Sequence, residues 1–90
     1  PMNDAGDDLV RAIDLALGGR WDEAHRIVQQ DEADATAAWI HAVLHKIEGD
    51  MGNSRYWYRR AGRLDQADRE PDAELREIRS RLAPTPEAGA

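Results

Sequence analysis

Apolar residues recur along most of this chain at intervals of three and four, the spacing of one face of an α-helix. Leu9, Val10, Ile13, Ala16 and Leu17 follow it and predict a first helix from about Asp7 to Leu17. Asp7 and Asp8 suit its positive end, and Gly18-Gly19 stops it. Trp21, Ala24, Ile27 and Val28 predict a second helix, from about Trp21 to Gln30. The polar run Asp31-Glu32-Ala33-Asp34 separates it from a third, over Ala35 to Glu48, with Asp34 as N-cap and Gly49 as stop. On that helix Trp39, Ile40, Val43, Leu44 and Ile47 fill one arc, with His41, His45 and Glu48 on its flank. Asn53 suits the N-cap of a fourth helix reaching Arg60 or Gly62. Trp57, Ala61 and Leu64 share one of its faces, and Arg55, Arg59 and Arg63 share another. Pro71, followed by acids, sits at the first turn of a fifth helix whose stripe is Leu75, Ile78 and Leu82. The proline-containing run 84–90 cannot continue a helix and reads as a tail.

No segment alternates apolar and polar residues as a half-buried strand does. The expectation is therefore an all-α protein of about five short helices, one domain over residues 1–83 with a tail at 84–90. Composition agrees. Phenylalanine is absent, while alanine, arginine, leucine and glutamate are frequent. Ninety residues bury only about 60–65% of the surface of the unfolded chain, so the core is thin. With no cysteine, disulfides, thiolate metal sites and a cysteine nucleophile are excluded, and a reducing compartment fits. No apolar run approaches the roughly 20 residues that span a bilayer. The acidic start, residues 1–8, lacks the basic and apolar regions of a signal peptide. The expected location is the cytoplasm, with no membrane partner.

The net charge of −6 is unevenly spread. Residues 1–34 hold nine acids and three bases, residues 35–69 four acids and six bases, and residues 70–90 five acids and three bases. An acidic whole argues against non-specific nucleic-acid binding, which rests on phosphate neutralisation. The basic middle leaves room for a local anion site.

Short helices with tight glycine turns suggest stacked hairpins, and the chain repeats itself weakly. Gly19 and Gly49, Ala24 and Ser54, and Val28 and Tyr58 are pairs of equivalent positions, each 30 residues apart. Glycine closes the first helix of a hairpin, a small residue lets the second pack closely, and a large residue fills the groove. Gly19, Trp21 and Ala24, then Gly49, Ser54, Tyr58 and Ala61, resemble the tetratricopeptide repeat over roughly residues 8–62. Met51 stands where that family has an aromatic, the spacing is 30 and not 34, and the repeat-ending proline is missing. The resemblance implies two stacked hairpins, a capping fifth helix and a protein-binding role. The run from Trp39 to Asp50, with Tyr56 to Gly62, is also similar to a group of small uncharacterised bacterial proteins, which implies no activity.

Three groups of residues carry candidate chemistry. His41 and His45, one helical turn apart, can reach one metal ion. Glu48 adds an oxygen and His25 on the preceding helix a third nitrogen, a set suited to a zinc- or nickel-like divalent cation. The alternatives are histidines packed at a core edge, or one acting as an acid–base group, for which no serine, threonine or carboxylate stands out as partner. Arg55, Tyr56, Tyr58, Arg59, Arg60 and Arg63 form an arginine–aromatic group for carboxylates or phosphates. The alternative is that these arginines pair with the acids of residues 1–34. Trp21, Trp39 and Trp57 read as core, any exposed ring marking a binding surface.

No phosphate-binding glycine loop, dinucleotide fingerprint or nucleophile elbow occurs, and no catalytic residue is assigned. The leading expectation is a helical-repeat module binding a protein or peptide, or a second copy of itself. Its contact surface would be a groove between helices 1, 3 and 5, near Trp39, His41 and His45. A small metal-binding or acid–base protein using His41 and His45 is the alternative.

Overall fold

The computed structural model describes residues 5–82. The expected tail lies outside them. Among the described residues there are five α-helices and no strand: α1 Ala5–Leu17, α2 Trp21–Gln29, α3 Ala35–Ile47, α4 Met51–Ala61 and α5 Pro71–Leu82. A 3-10 turn, Leu64–Gln66, lies between α4 and α5. No described helix is long and apolar enough to cross a membrane.

The helix ends follow from local chemistry. α1 and α3 stop in the same way. Gly19 and Gly49 take φ of 81° and 86°. Their N–H groups bond Ala16 and Lys46 carbonyls, and the next N–H groups, of Arg20 and Asp50, bond Leu15 and His45. This is the Schellman closure, which requires a left-handed residue that glycine supplies without strain. Asp34 caps α3, accepting from Ala37 N–H at 2.8 Å.

The fourth helix starts earlier than the sequence suggested. Its N-cap is Asp50, not Asn53, because the residue that completes the α3 closure also opens α4. Asn53 sits inside the first turn and reaches back to Asp50 through backbone N–H and side-chain amide, at 3.3 and 2.8 Å. Glu70 accepts the Asp72 and Ala73 N–H groups at the start of α5.

α1 with α2 and α3 with α4 form two hairpins, and α3 packs on α2. The repeat-related pairs Ala24 and Ser54, and Val28 and Tyr58, are all fully buried. Ser54 also donates to the Ala42 carbonyl at 2.9 Å. α3 is the central helix: every residue from Ala37 to His45 is buried. The single apolar arc expected for it is therefore too narrow, because neighbours cover it on all sides. Ile47, expected in that arc, is 42% exposed at the helix end. Leu64, expected beside Trp57, is 44% exposed, since the left-handed Gly62 turns the chain away after α4.

α5 packs on both α1 and α3. It lays fully buried Glu74, Leu75 and Ile78 against them, and Arg79 reaches Asp14 of α1 at 2.7 Å. α5, expected to form a contact groove together with helices 1 and 3, thus packs directly on both.

Candidate functional site

Two polar clusters lie on opposite sides of α3. The first is a knot around Glu74, a fully buried carboxylate. It accepts from Trp39 Nε1 at 2.7 Å, from the Tyr58 hydroxyl at 2.8 and 2.9 Å and from Lys46 Nζ at 2.8 Å. Lys46 Nζ also donates to the carbonyls of Ala67 and Arg69 at 3.2 and 2.7 Å, with Gln66 at 3.4 Å. Burial, reinforced by Glu74, pushes the Tyr58 hydroxyl well above its ordinary pKa, so it remains a donor. Every one of these groups has a hydrogen-bond partner within the knot. Trp39, expected at a contact surface, is 2% exposed and belongs here. Its ring is covered by the guanidinium carbons of Arg63 at 4.1 Å and Arg81 at 5.3 Å. Tyr58, also expected in a binding group, is fully buried. The sequence reading passed over Lys46 and Glu74. The available signal was an acid one and four positions before Leu75 and Ile78, on their apolar stripe.

The second cluster joins α2, α3 and α4. Trp57, His41 and His45 stack in a column. His41 lies 3.9 Å from the Trp57 ring at 12° and 5.0 Å from the His45 ring at 21°. Beside the column, Trp21 and His25 of α2 stack at 4.6 Å. His25 meets His41 and His45 edge-on, at 4.8 and 5.3 Å between centroids. The helical register places His41 and His45 one turn apart, and Trp21 anchors α2 by donating Nε1–H to the Leu44 carbonyl at 2.7 Å. His41 and His45 are buried and His25 half-buried.

The protonation pattern follows from the partners. His45 Nδ1 lies 2.7 Å from Glu48 Oε2 and donates to it, so in the neutral ring the free lone pair is on Nε2. His25 and His41 share one proton between Nε2 atoms 3.1 Å apart. His41 Nδ1 is buried and has no partner among the described residues. A lone pair in that position costs less than an N–H without acceptor, so we assign the shared proton to His41 Nε2. Burial first, then the neighbouring imidazoles of His25 and His45, lowers the His41 pKa to about 3. His25 is lowered too, by burial and then by His45, while Glu48, Asp22 and Glu32 oppose the shift. All three sequence-selected histidines therefore meet in one place, whereas Glu48, expected as an oxygen donor to the same ion, bonds His45 Nδ1 and groups with His45 and Asp50 instead. Trp57 and Trp21, selected only as core, form its walls.

No protein-family model, curated protein or solved structure matches the chain. The site's chemistry stands on its own geometry.

The arginine face of α4 is separate. Among the described residues the backbone of α4 lies against α3 and the 3-10 turn, with Tyr58 reaching inward to Glu74 of α5, so its outer side is open. Arg55, Tyr56, Arg59 and Arg60 are exposed there, Tyr56 by 47%. Among the described residues none of Arg55, Arg59, Arg60 and Arg63 forms an ion pair. The expected pairing with acids of residues 1–34 is not seen among the described residues, where the backbone of α4 does not pack on α1 or α2. Arg60 instead donates to the Tyr56 hydroxyl at 3.2 Å and the Glu32 carbonyl at 3.4 Å, and lies over the Trp57 and Tyr56 rings. Arg63 turns inward onto Trp39 and leaves the exposed group.

Proposed function

We propose that this chain is a helical interaction module, a short tetratricopeptide-like pair of hairpins, that docks an acidic segment of a partner protein on the outer face of α4. One observation carries the reading. In a chain of net charge −6, the segment 51–63 holds four arginines and no acid. Among the described residues the exposed Arg55, Arg59 and Arg60 have no ion-pair partner. Guanidinium forks recognise carboxylates bidentately, and the adjacent exposed Tyr56 adds a flat contact of the kind enriched at interfaces. Arg55 and Arg59 lie one turn apart, which matches carboxylates at the same spacing on an acidic helix or strand. The surface between α1, α3 and α5 is not used in this reading, because α5 packs directly on α1 and α3 and Trp39 is buried there.

The test measures fluorescence anisotropy of labelled Asp/Glu-rich peptides against the full chain, at low and moderate salt. Saturable binding that weakens with salt is expected, falling at least tenfold in the Arg55→Glu, Arg59→Glu double variant. Both side chains are exposed, so that variant folds. Equal affinity of the variant, or no binding by any acidic peptide, overturns the reading. A salt-sensitive dimer seen by sedimentation and abolished by the same variant would assign the face to a second copy instead. Preferential retention of RNA or DNA would count equally against the acidic segment.

A further inference from the structure

The histidine cluster brings one nitrogen from each of three imidazoles within 4.8 Å of the other two, a convergence that packing alone does not require. We propose that His25, His41 and His45 form a binding site for one divalent transition-metal ion, with Glu48 orienting His45. The ion enters past His25, the one half-buried member of the three.

The distances favour a shared ion. Two nitrogens bound to one zinc at about 2.0–2.1 Å, at near-tetrahedral angles, lie about 3.3 Å apart. His25 Nε2 and His41 Nε2 are already 3.1 Å apart. One nitrogen of each of the three histidines lies within 4.8 Å of the other two. The widest separation then has to close by at most about 1.5 Å, within reach of ring rotations. The His45 Nδ1–Glu48 contact of 2.7 Å is the carboxylate–histidine arrangement that orients metal-bound imidazoles and raises their basicity.

Charge and ligand type point the same way. The three imidazoles bring no charge of their own when neutral, and the carboxylates of Glu48, Asp22 and Glu32 favour positive charge at His25, against burial and His45. Asp50 places a carboxylate near His45 and Glu48. A cation is thus the favoured occupant. Imidazole nitrogens select zinc, copper, nickel or cobalt over calcium or magnesium, which prefer oxygen. Three protein donors leave a fourth position for water or a small ligand.

The same geometry sets a limit on affinity. Metal at His41 Nε2 sends that imidazole's proton to Nδ1, which has no acceptor among the described residues. An incomplete outer shell weakens metal sites about 10–100-fold, so binding is weaker by that factor than at a fully supported three-histidine site.

The experiment uses the full chain, stripped with chelator and titrated with ZnCl2 by calorimetry, and with CuCl2 or NiCl2 by tryptophan fluorescence. One ion per chain is expected, with quenching, because Trp57 and Trp21 stack directly on His41 and His25. His25→Gln, at a half-buried position that leaves the core intact, is expected to weaken binding at least tenfold with an unchanged circular dichroism spectrum. Glu48→Gln is expected to weaken it about 10–100-fold. Absence of stoichiometric binding, unchanged binding by His25→Gln, or binding without quenching each overturns the proposal. So does binding lost in Asp50→Asn but kept in His25→Gln, which would place the ion on His45, Glu48 and Asp50 instead.

Discussion

Replacing Glu74 with leucine is the sharpest test of what holds the helices together. The carboxylate is fully buried and satisfies Trp39, Tyr58 and Lys46 at once. The variant strands two neutral donors, the Trp39 indole N–H and the Tyr58 hydroxyl, at about 1–3 kcal/mol each. The Lys46 ammonium keeps its carbonyl partners but loses its counter-charge. Breaking one side of a buried ion pair costs about 3–5 kcal/mol, and we take that as the expected loss. A domain of this size has about 5–15 kcal/mol of stability in total, so the variant sits near the edge of folding. Lys46→Met is expected to cost a similar amount, because it leaves a buried carboxylate with neutral donors only. The decisive variant is the double one, Lys46→Met with Glu74→Leu. It removes both charges, so its cost is expected to match either single change and not their sum. Urea unfolding followed by circular dichroism, with slopes compared between variants, measures all three. Simple additivity, or a cost under about 1 kcal/mol for Glu74→Leu, would refute the account of the knot as one coupled unit.

Two further predictions concern the metal-free chain. His41 is held neutral down to about pH 3 in the fold, whereas in the unfolded chain it takes up a proton below about 6.5. The unfolded state then binds the extra proton, so stability is complete above that pH and is lost as pH falls from 6.5 toward 3. At about 1.4 kcal/mol per unit, the loss at pH 5 is about 2 kcal/mol, with His25 adding in the same direction. The groups facing His41 are His25, His45 with Glu48, and Arg60 behind Trp57. Equal urea midpoints at pH 7.5 and 5 would remove this reading. Glycine replacements separate conformation from space. Neither Gly49 nor Gly52 has an atom within 4 Å of an added Cβ, yet only Gly49 has positive φ. Gly49→Ala is expected to cost about 1–2 kcal/mol and Gly52→Ala to stabilise α4 by about 0.5–1 kcal/mol. Thermal melts shifting the same way for both would show that backbone conformation is not the determinant.

The helices were legible because their signals are local. Spacing gave the stripes, Asp34 the α3 cap, and Gly19 and Gly49 the closures. The start of α4 was missed because one residue, Asp50, serves two helices, which no single-helix rule anticipates. The buried role of Glu74 on α5 was missed because a polar residue on an apolar stripe has no readable partner until the fold brings α3 and α4 beside it. Lys46 was hidden for the same reason, since its partners lie 20 or more residues downstream. The histidines were readable as a group, because the i, i+4 spacing places His41 and His45 together whatever packs against them. Their separation from Trp39 was not, since it depends on which neighbour covers each side of α3.

The grip of Lys46 on the α4–α5 connection has a consequence for how the molecule comes apart. Stacked-hairpin proteins commonly lose their units one at a time, because each unit touches only its neighbours. Here the last helix supplies the counter-charge for a lysine on the central one, and acceptors for an indole and a hydroxyl on two different helices. Peeling α5 away would leave those donors in the interior without relief. The α3–α4 hairpin and α5 therefore form one foldon, and loss of the C-terminal helix and loss of that hairpin are one cooperative event.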